Sequence, residues 1–265
     1  MVICSINPLI VQRAKALKLH GILSHWDEVN EEGLVFLQQL MAWEDAYRSQ
    51  RSLDERLRKA RTGRFKPMTD FDWSWPKTCD REAVEQWMQL GFMETATNLI
   101  VCGPNGVGKT MIASNIAHLA VLKGHTALFT TAAGMLNELA ELDSESALRR
   151  RVKYYTQPTF LVIDEVGYLS YSNRHADLLF EVISQRYEKK PTCITTNKPF
   201  TEWRDIFPNA ACVVSIIDRL VHHSEILNIE GDSFRLKEAT EKNIERHSKR
   251  SKGKKSLRKR ENNHV

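Results

Sequence analysis

In the first sixty residues apolar positions recur at intervals of three and four. Ile10, Ala14 and Leu17 fall on one side of a helix, and Asn7-Pro8 ahead of them supplies an N-cap and a first helical residue. Gly21 offers that helix a stop. Leu34, Leu37 and Met41 give a second apolar stripe, predicting a helix over Glu31 to Gln50. A third helix covers Leu53 to Thr62, separate from the second or continuous with it, and ends at Gly63.

The period changes after residue 82. Short apolar runs appear at 98–102 (NLIVC), 126–130 (TALFT), 159–164 (TFLVID), 192–196 (TCITT) and 225–229 (EILNI), with longer helical stretches between them. Strands alternating with helices predict an α/β fold whose mainly parallel sheet is covered on both faces. Residues 63–80 fit neither pattern. They hold two prolines and Phe65, Phe71, Trp73 and Trp75, the last three alternating with polar residues. That predicts an extended linker pinned to a surface, as a plain anchor or beside a nucleotide's adenine. The chain thus divides into a helical domain (1–62), an aromatic linker (63–80), an α/β core (81–240) and a basic tail (241–265).

Apolar residues make up 42% of the 265, enough for a sizeable core. No run reaches the length of a membrane span, and the N-terminus has its apolar residues ahead of its charges, the reverse of a secretory signal. Five scattered cysteines form no CxxC pair, which reads as reduced thiols in a cytoplasmic protein. The net charge of +5 is uneven: the last twenty-five residues hold ten Lys/Arg and three Asp/Glu, +7, so the remainder carries −2. Such a tail is expected to be disordered and to attract polyanions, or simply to keep the chain soluble.

GPNGVGKT, from Gly103 to Thr110, supplies the first chemistry. Two glycines framing four residues, then Lys and Thr, form a phosphate loop when an apolar strand precedes and an amphipathic helix follows. Both are predicted here. Backbone N–H groups of Gly103, Pro104's neighbours Asn105 and Gly106, Val107, Gly108 and Met111 are candidates to surround the phosphates of ATP, with Lys109 reaching the outer two. The Thr110 hydroxyl is a ligand candidate for Mg²⁺. A buried strand then ends in Asp164-Glu165: Asp164 is placed to hold Mg²⁺, and Glu165 to orient and deprotonate a water. That pair points to hydrolysis. Asn197, at the end of the 192–196 run, can hydrogen-bond the water and the γ-phosphate, or serve only as a turn residue before Pro199. Arg219, on a later helix, is a surface or ion-paired residue beside Asp218, or an arginine finger for a neighbouring subunit.

Together these residues resemble the P-loop AAA+ ATPases of the DnaC/IstB branch, and most closely the IstB transposition helpers encoded beside an IstA transposase. The likeness covers residues 6–240 and rests on FDWSW, GPNGVGKT, FLVIDEVGYL, LLFEVISQRYEKKPTCITTNKPFTEW and IIDRLVHHSEILNIEGDSFRLKE. It implies a three-layer core behind a small all-α domain. It also implies Walker A at Gly103, Gly108, Lys109 and Thr110, Walker B at Asp164 and Glu165, sensor 1 at Asn197 and a finger at Arg219. Arg186 is a weaker candidate at the subunit boundary. Asn105 and Arg204 depart from the residues usual in relatives, and neither is expected to abolish ATP binding. After Arg219 the chain has no room for a C-terminal lid domain, so sensor 2 is expected to be missing, one wall of the nucleotide pocket to come from elsewhere, and ATP to bind tightly only between packed subunits.

Two basic patches suit DNA. On a helical wheel Arg48, Arg51, Arg58 and Lys59 cluster opposite Leu53, Leu57 and Ala60. In LRRRVKYY, Arg149, Arg150, Arg151 and Lys153 occupy a region where relatives carry an extra helical element facing nucleic acid. The function implied is an ATPase that forms a homo-oligomer, ring or helical, on double-stranded DNA and assists an IstA-type transposase. A helicase loader on single-stranded DNA is the alternative. A small-molecule phosphotransferase would need an arginine-rich substrate lid that the sequence lacks.

Overall fold

A computed structural model describes residues 8–168, 171–208 and 210–243. Asn7 and the tail beyond 243 lie outside the described residues. The chain forms two compact units, Met1–Arg58 and Lys59–Val265.

The first unit is helical. α1 (Pro8–Ala16) and α2 (His20–Ser24) precede α3 (Glu31–Ala60), a single 30-residue helix. The two helices expected over 31–62 are therefore one. Its Leu37 and Met41 bury against Ile10, Ala14 and Leu17 of the α1 region. The stop for α1 is not Gly21, which lies inside α2. It is Lys18, in the left-handed region at φ +61. The Leu19 N–H reaches the Ala14 carbonyl and the Lys18 N–H that of Lys15, so the last turn closes without a glycine.

In the second unit α4 (Arg81–Met88) leads to β1 (Asn98–Cys102), α5 (Lys109–Leu122) and β2 (Ala127–Thr131). Then come α6 (Ala132–Ala140), α7 (Glu145–Thr156), β3 (Phe160–Val166), α8 (Asn173–Arg186) and β4 (Thr192–Thr196). A short α9 (Trp203–Ile206), α10 (Ala210–His222) and β5 (Ser224–Asn228) complete it, followed by helical residues 234–243. All strand pairs are parallel, in the order β2-β3-β4-β1-β5. The central strands β1, β3 and β4 are buried on both faces, which is why they read as apolar runs, whereas edge strand β5 is mostly exposed. Leu161 and Ile163 join the core made with α6, α7, α8 and α10. Phe160 meets Phe92 in a tilted ring contact, and α5 lies against β1, β2, β3 and β4. This is the three-layer α/β core of the P-loop AAA+ class, and no helical lid domain follows β5 among the described residues.

Arg186 is not available to a neighbouring subunit. It is 1% exposed, and burial drives its pKa down to about 9. Its guanidinium donates to the carbonyls of Thr156 (3.2 Å), Pro158 (2.8 Å), Thr159 (3.3 Å) and Pro191 (2.6 Å), and its Nε to Thr192 Oγ1 (2.9 Å). One side chain thus fixes the entries to β3 and β4. Truncation to Ala leaves buried carbonyls without donors, so Arg186→Ala should lose about 3–5 kcal/mol in urea unfolding. A loss below about 1 kcal/mol would contradict this role.

Candidate active site

The loop between β1 and α5 wraps as its glycines permit. Gly106 and Gly108 have φ of +84 and +104, and both are approached closely. A Cβ on Gly106 would meet Ser233 Oγ at 2.2 Å, and one on Gly108 the Phe71 ring at 2.5 Å. These glycines therefore allow two other segments to close on the loop as well as letting the backbone turn.

The first is the linker. Asn115 of α5 accepts from the Met68 N–H (3.1 Å) and donates to the Lys66 carbonyl (2.9 Å), while Phe65 packs on His118. Phe71 is buried against Trp73. The second is the chain after β5. The Phe234 N–H donates to the Gly106 carbonyl (3.0 Å), Trp75 Nε1 to the Asp232 carbonyl (2.8 Å), and the Lys77 N–H to the Glu230 carbonyl (2.7 Å). Lys237 sits 4.2 Å over the Trp75 ring and pairs with Asp72, and Lys66 pairs with Glu238. A cavity of about 340 Å³ lies between loop, linker and helical residues 234–243. Phe65, Phe71, Trp75 and Phe234 line it, together with Lys109, Thr110 and Arg235. The wall expected from elsewhere is thus present in the same chain. A single helix, residues 234–243, supplies it and brings Arg235 to the cavity wall. The sequence places residues after β5 within the core but gives no local sign that they close on the phosphate loop; Phe234 flanked by Ser233 was the available signal.

Lys109 is 4% exposed, and its Nζ donates to the carbonyls of Gly103 and Pro104, each at 2.7 Å. Burial lowers its pKa, an effect that Asp164 opposes and the nearby Arg235 reinforces. Two cations held at one cavity wall repel each other, and a polyanion between them relieves that cost.

Across from the loop, Asp164 is 3% exposed. Burial raises its pKa, opposed by hydrogen bonds from the hydroxyls of Thr195 and Thr110 and by Lys109. Thr110 Oγ1 lies 3.1 and 3.2 Å from the two carboxylate oxygens. β3 continues two residues past the expected end, through Glu165 to Val166, with a bulge: Ile163 pairs with Ile194 but Val166 with Thr196. Glu165 sits in that bulge at φ +62. A non-glycine residue there is strained by about 1–2 kcal/mol, and such strain clusters at functional sites. Asn197 follows β4, and its Oδ1 is buried without a partner, an acceptor free for a bound group.

Residues 12–242 match the model of the IstB-like ATP binding proteins. The chain belongs to that family. It is 37% identical over 191 residues to the ATP-binding protein of insertion sequence IS21 of Pseudomonas aeruginosa, covering 72% of each chain. It is 34% identical to that of IS5376 of Geobacillus stearothermophilus (77% of this chain, 81% of the relative). With that of IS232 of Bacillus thuringiensis it shares 31% (84% and 92%). Among solved structures, DnaI superposes with a TM-score of 0.53 at 18% identity, over 62% of this chain and 90% of DnaI. A DnaA bound to AMPPCP and single-stranded DNA gives 0.50 at 17%, over 66% and 56%. These two likenesses speak for the fold. The IstB-like chain is an ATP-binding AAA+ protein, and no described helix is long and apolar enough to cross a membrane.

The other expected residues are not among those that line this cavity. Arg219, on α10, stacks 4.6 Å from the Phe180 ring and 6.0 Å from Tyr187, and donates to the Ser215 carbonyl. Of the second basic patch, Arg149 pairs with Glu145, and Arg151 pairs with Glu138 and lies 4.2 Å over Tyr154. Arg150 and Lys153 are exposed on α7. On α3, Arg48 pairs with Glu44, and Arg51, Arg58 and Lys59 are exposed.

Proposed function

We propose that this IstB-like chain hydrolyses ATP, assembles on duplex DNA in its ATP form and presents that complex to an IstA-type transposase. The observation that carries the hydrolase reading is the bulge that sets Glu165 beside Asp164, opposite the phosphate loop. The adenine lies against the aromatic wall of Phe65, Phe71, Trp75 and Phe234, and the loop N–H groups of 103–111 hold the phosphates with Lys109 and Arg235. The donor set of Thr110 hydroxyl and Asp164 carboxylate is of the hard oxygen type that Mg²⁺ takes. When bound there, the ion neutralises charge on the phosphates. Glu165 accepts a proton from water as its oxygen attacks the γ-phosphorus and the bond to the β-γ bridging oxygen breaks. Asn197 orients that water. Arg219 of an adjoining subunit stabilises the charge that spreads over the transferred group.

Placement in an insertion sequence is what the names of the relatives say of those proteins, and it supports the transposase partner here. Two patches hold duplex DNA, one of Arg48, Arg51, Arg58 and Lys59 and the other of Arg149, Arg150 and Lys153; Arg48 and Arg149 do so once their glutamate partners yield to phosphate. Arg151 keeps its intramolecular pair and acts by shaping α7. The test is sedimentation of the protein with ATP and either duplex or single-stranded DNA. Multimers driven by duplex are expected. Monomers that prefer single strands would overturn the reading in favour of a helicase-loading role. Arg150→Ala and Lys153→Ala should each flatten the salt dependence of duplex binding by about one unit of log K per log salt, the amount for one lost phosphate contact.

A further inference from the structure

The buried hydroxyl of Thr195 takes no part in binding or attack as described, yet it bonds both Walker B residues, the carboxylate of Asp164 and the backbone N–H of Glu165. Thr195 is fully buried in β4. Because Ile194 pairs with Ile163 and Thr196 with Val166, Asp164 and Glu165 both face Thr195 alone. A bulge leaves one backbone group of the longer strand without its ladder partner. Here the Glu165 N–H donates to Thr195 Oγ1 at 2.9 Å, so a side-chain oxygen replaces the missing bond. The same hydroxyl donates its proton to the Asp164 carboxylate in a short hydrogen bond. One proton and one lone pair are thus both committed, with opposite polarity, to neighbouring residues of the active site.

We propose that Thr195 is a positioning residue: its hydroxyl fixes the bulge that aims Glu165 and holds the Asp164 carboxylate in the same act. The inference rests on the hydrolase reading. Thr195 touches neither nucleotide nor water. It acts through the backbone of one residue and the side chain of the other. A bland role for a β-branched residue in a buried strand would be packing alone, which valine supplies equally well while lacking the hydroxyl.

Thr195→Val and Thr195→Ser separate the two. In the valine variant, binding of a fluorescent ATP analogue should stay within about twofold of wild type and KM should hardly move. kcat should fall on the order of 10²-fold, the usual cost of a catalytic group misplaced by about an ångström. Hydrogen exchange in a peptide spanning 160–168 should speed up at the Glu165 amide, on the order of tenfold or more, once its acceptor is gone. The serine variant should restore both turnover and protection. Should the valine variant not accumulate folded, Thr195→Ala, which leaves space rather than a clash, should give the same pattern against serine. Wild-type turnover and exchange in the valine variant would overturn the proposal. So would a serine variant as impaired as valine, because the methyl group would then be what matters. A wild-type protein that binds ATP without turning it over would sink the hydrolase reading instead, while the exchange measurement still reports on the hydroxyl.

Discussion

Glu165→Gln leaves ATP bound and nearly stops its turnover. Glutamine keeps the size and hydrogen-bonding reach of glutamate but cannot take up a proton from water. General-base assistance is worth about 10²–10⁴ in rate, and a fall in kcat on the order of 10³-fold is expected. Nothing in the phosphate loop changes: Lys109 keeps its place at the Gly103 and Pro104 carbonyls, and Thr110 remains against Asp164. Affinity for a fluorescent ATP analogue should therefore move by no more than a few-fold. Phosphate release and equilibrium binding, measured on one preparation, decide it. Turnover within threefold of wild type would put the base elsewhere. Equal loss of binding would mean that Glu165 is needed to shape the site.

The second large effect is expected at Arg219, which lies outside the cavity of its own chain. Its guanidinium rests on the Phe180 and Tyr187 rings and a single carbonyl, contacts that hold it in place without neutralising it. A cation so held suits a γ-phosphate brought by a neighbour. Arg219→Ala should keep monomeric ATP binding and lose about 10³–10⁵ of the turnover seen in the assembly. The Glu165→Gln and Arg219→Ala proteins, each inactive alone, provide the stricter test when mixed. A head-to-tail interface with an intact base on one side and an intact arginine on the other recovers activity, to about a quarter of wild type for random mixing. If mixing restores nothing, Arg219 acts within its own chain or not at all.

The same residues show what can be read from a sequence. GPNGVGKT and FLVIDE were legible because their chemistry is local: a few consecutive residues set both backbone and reactive group. The central strands β1, β3 and β4 were legible because both their faces are buried. What escaped depends on contacts across the fold. Arg186 looks like any basic residue at a helix end, and only the two loops it ties reveal its burial. Thr195 looks like strand composition, although strand alternation puts it on the same face as Asn197 two residues later. The place of Phe234 and Arg235 at the cavity was not legible, because it depends on the aromatic linker some 157 residues earlier, where Trp75 bonds the Asp232 carbonyl. The end of α1 at Lys18 was missed because the left-handed turn is made by a lysine.

The left-handed backbone at Glu165 has an evolutionary corollary. Glycine adopts that conformation without penalty, so the position favours, on folding grounds alone, the one residue that has no side chain to perform chemistry. A laboratory lineage selected purely for heat tolerance would drift toward glycine there and go silent, because robustness and reactivity compete for a single site.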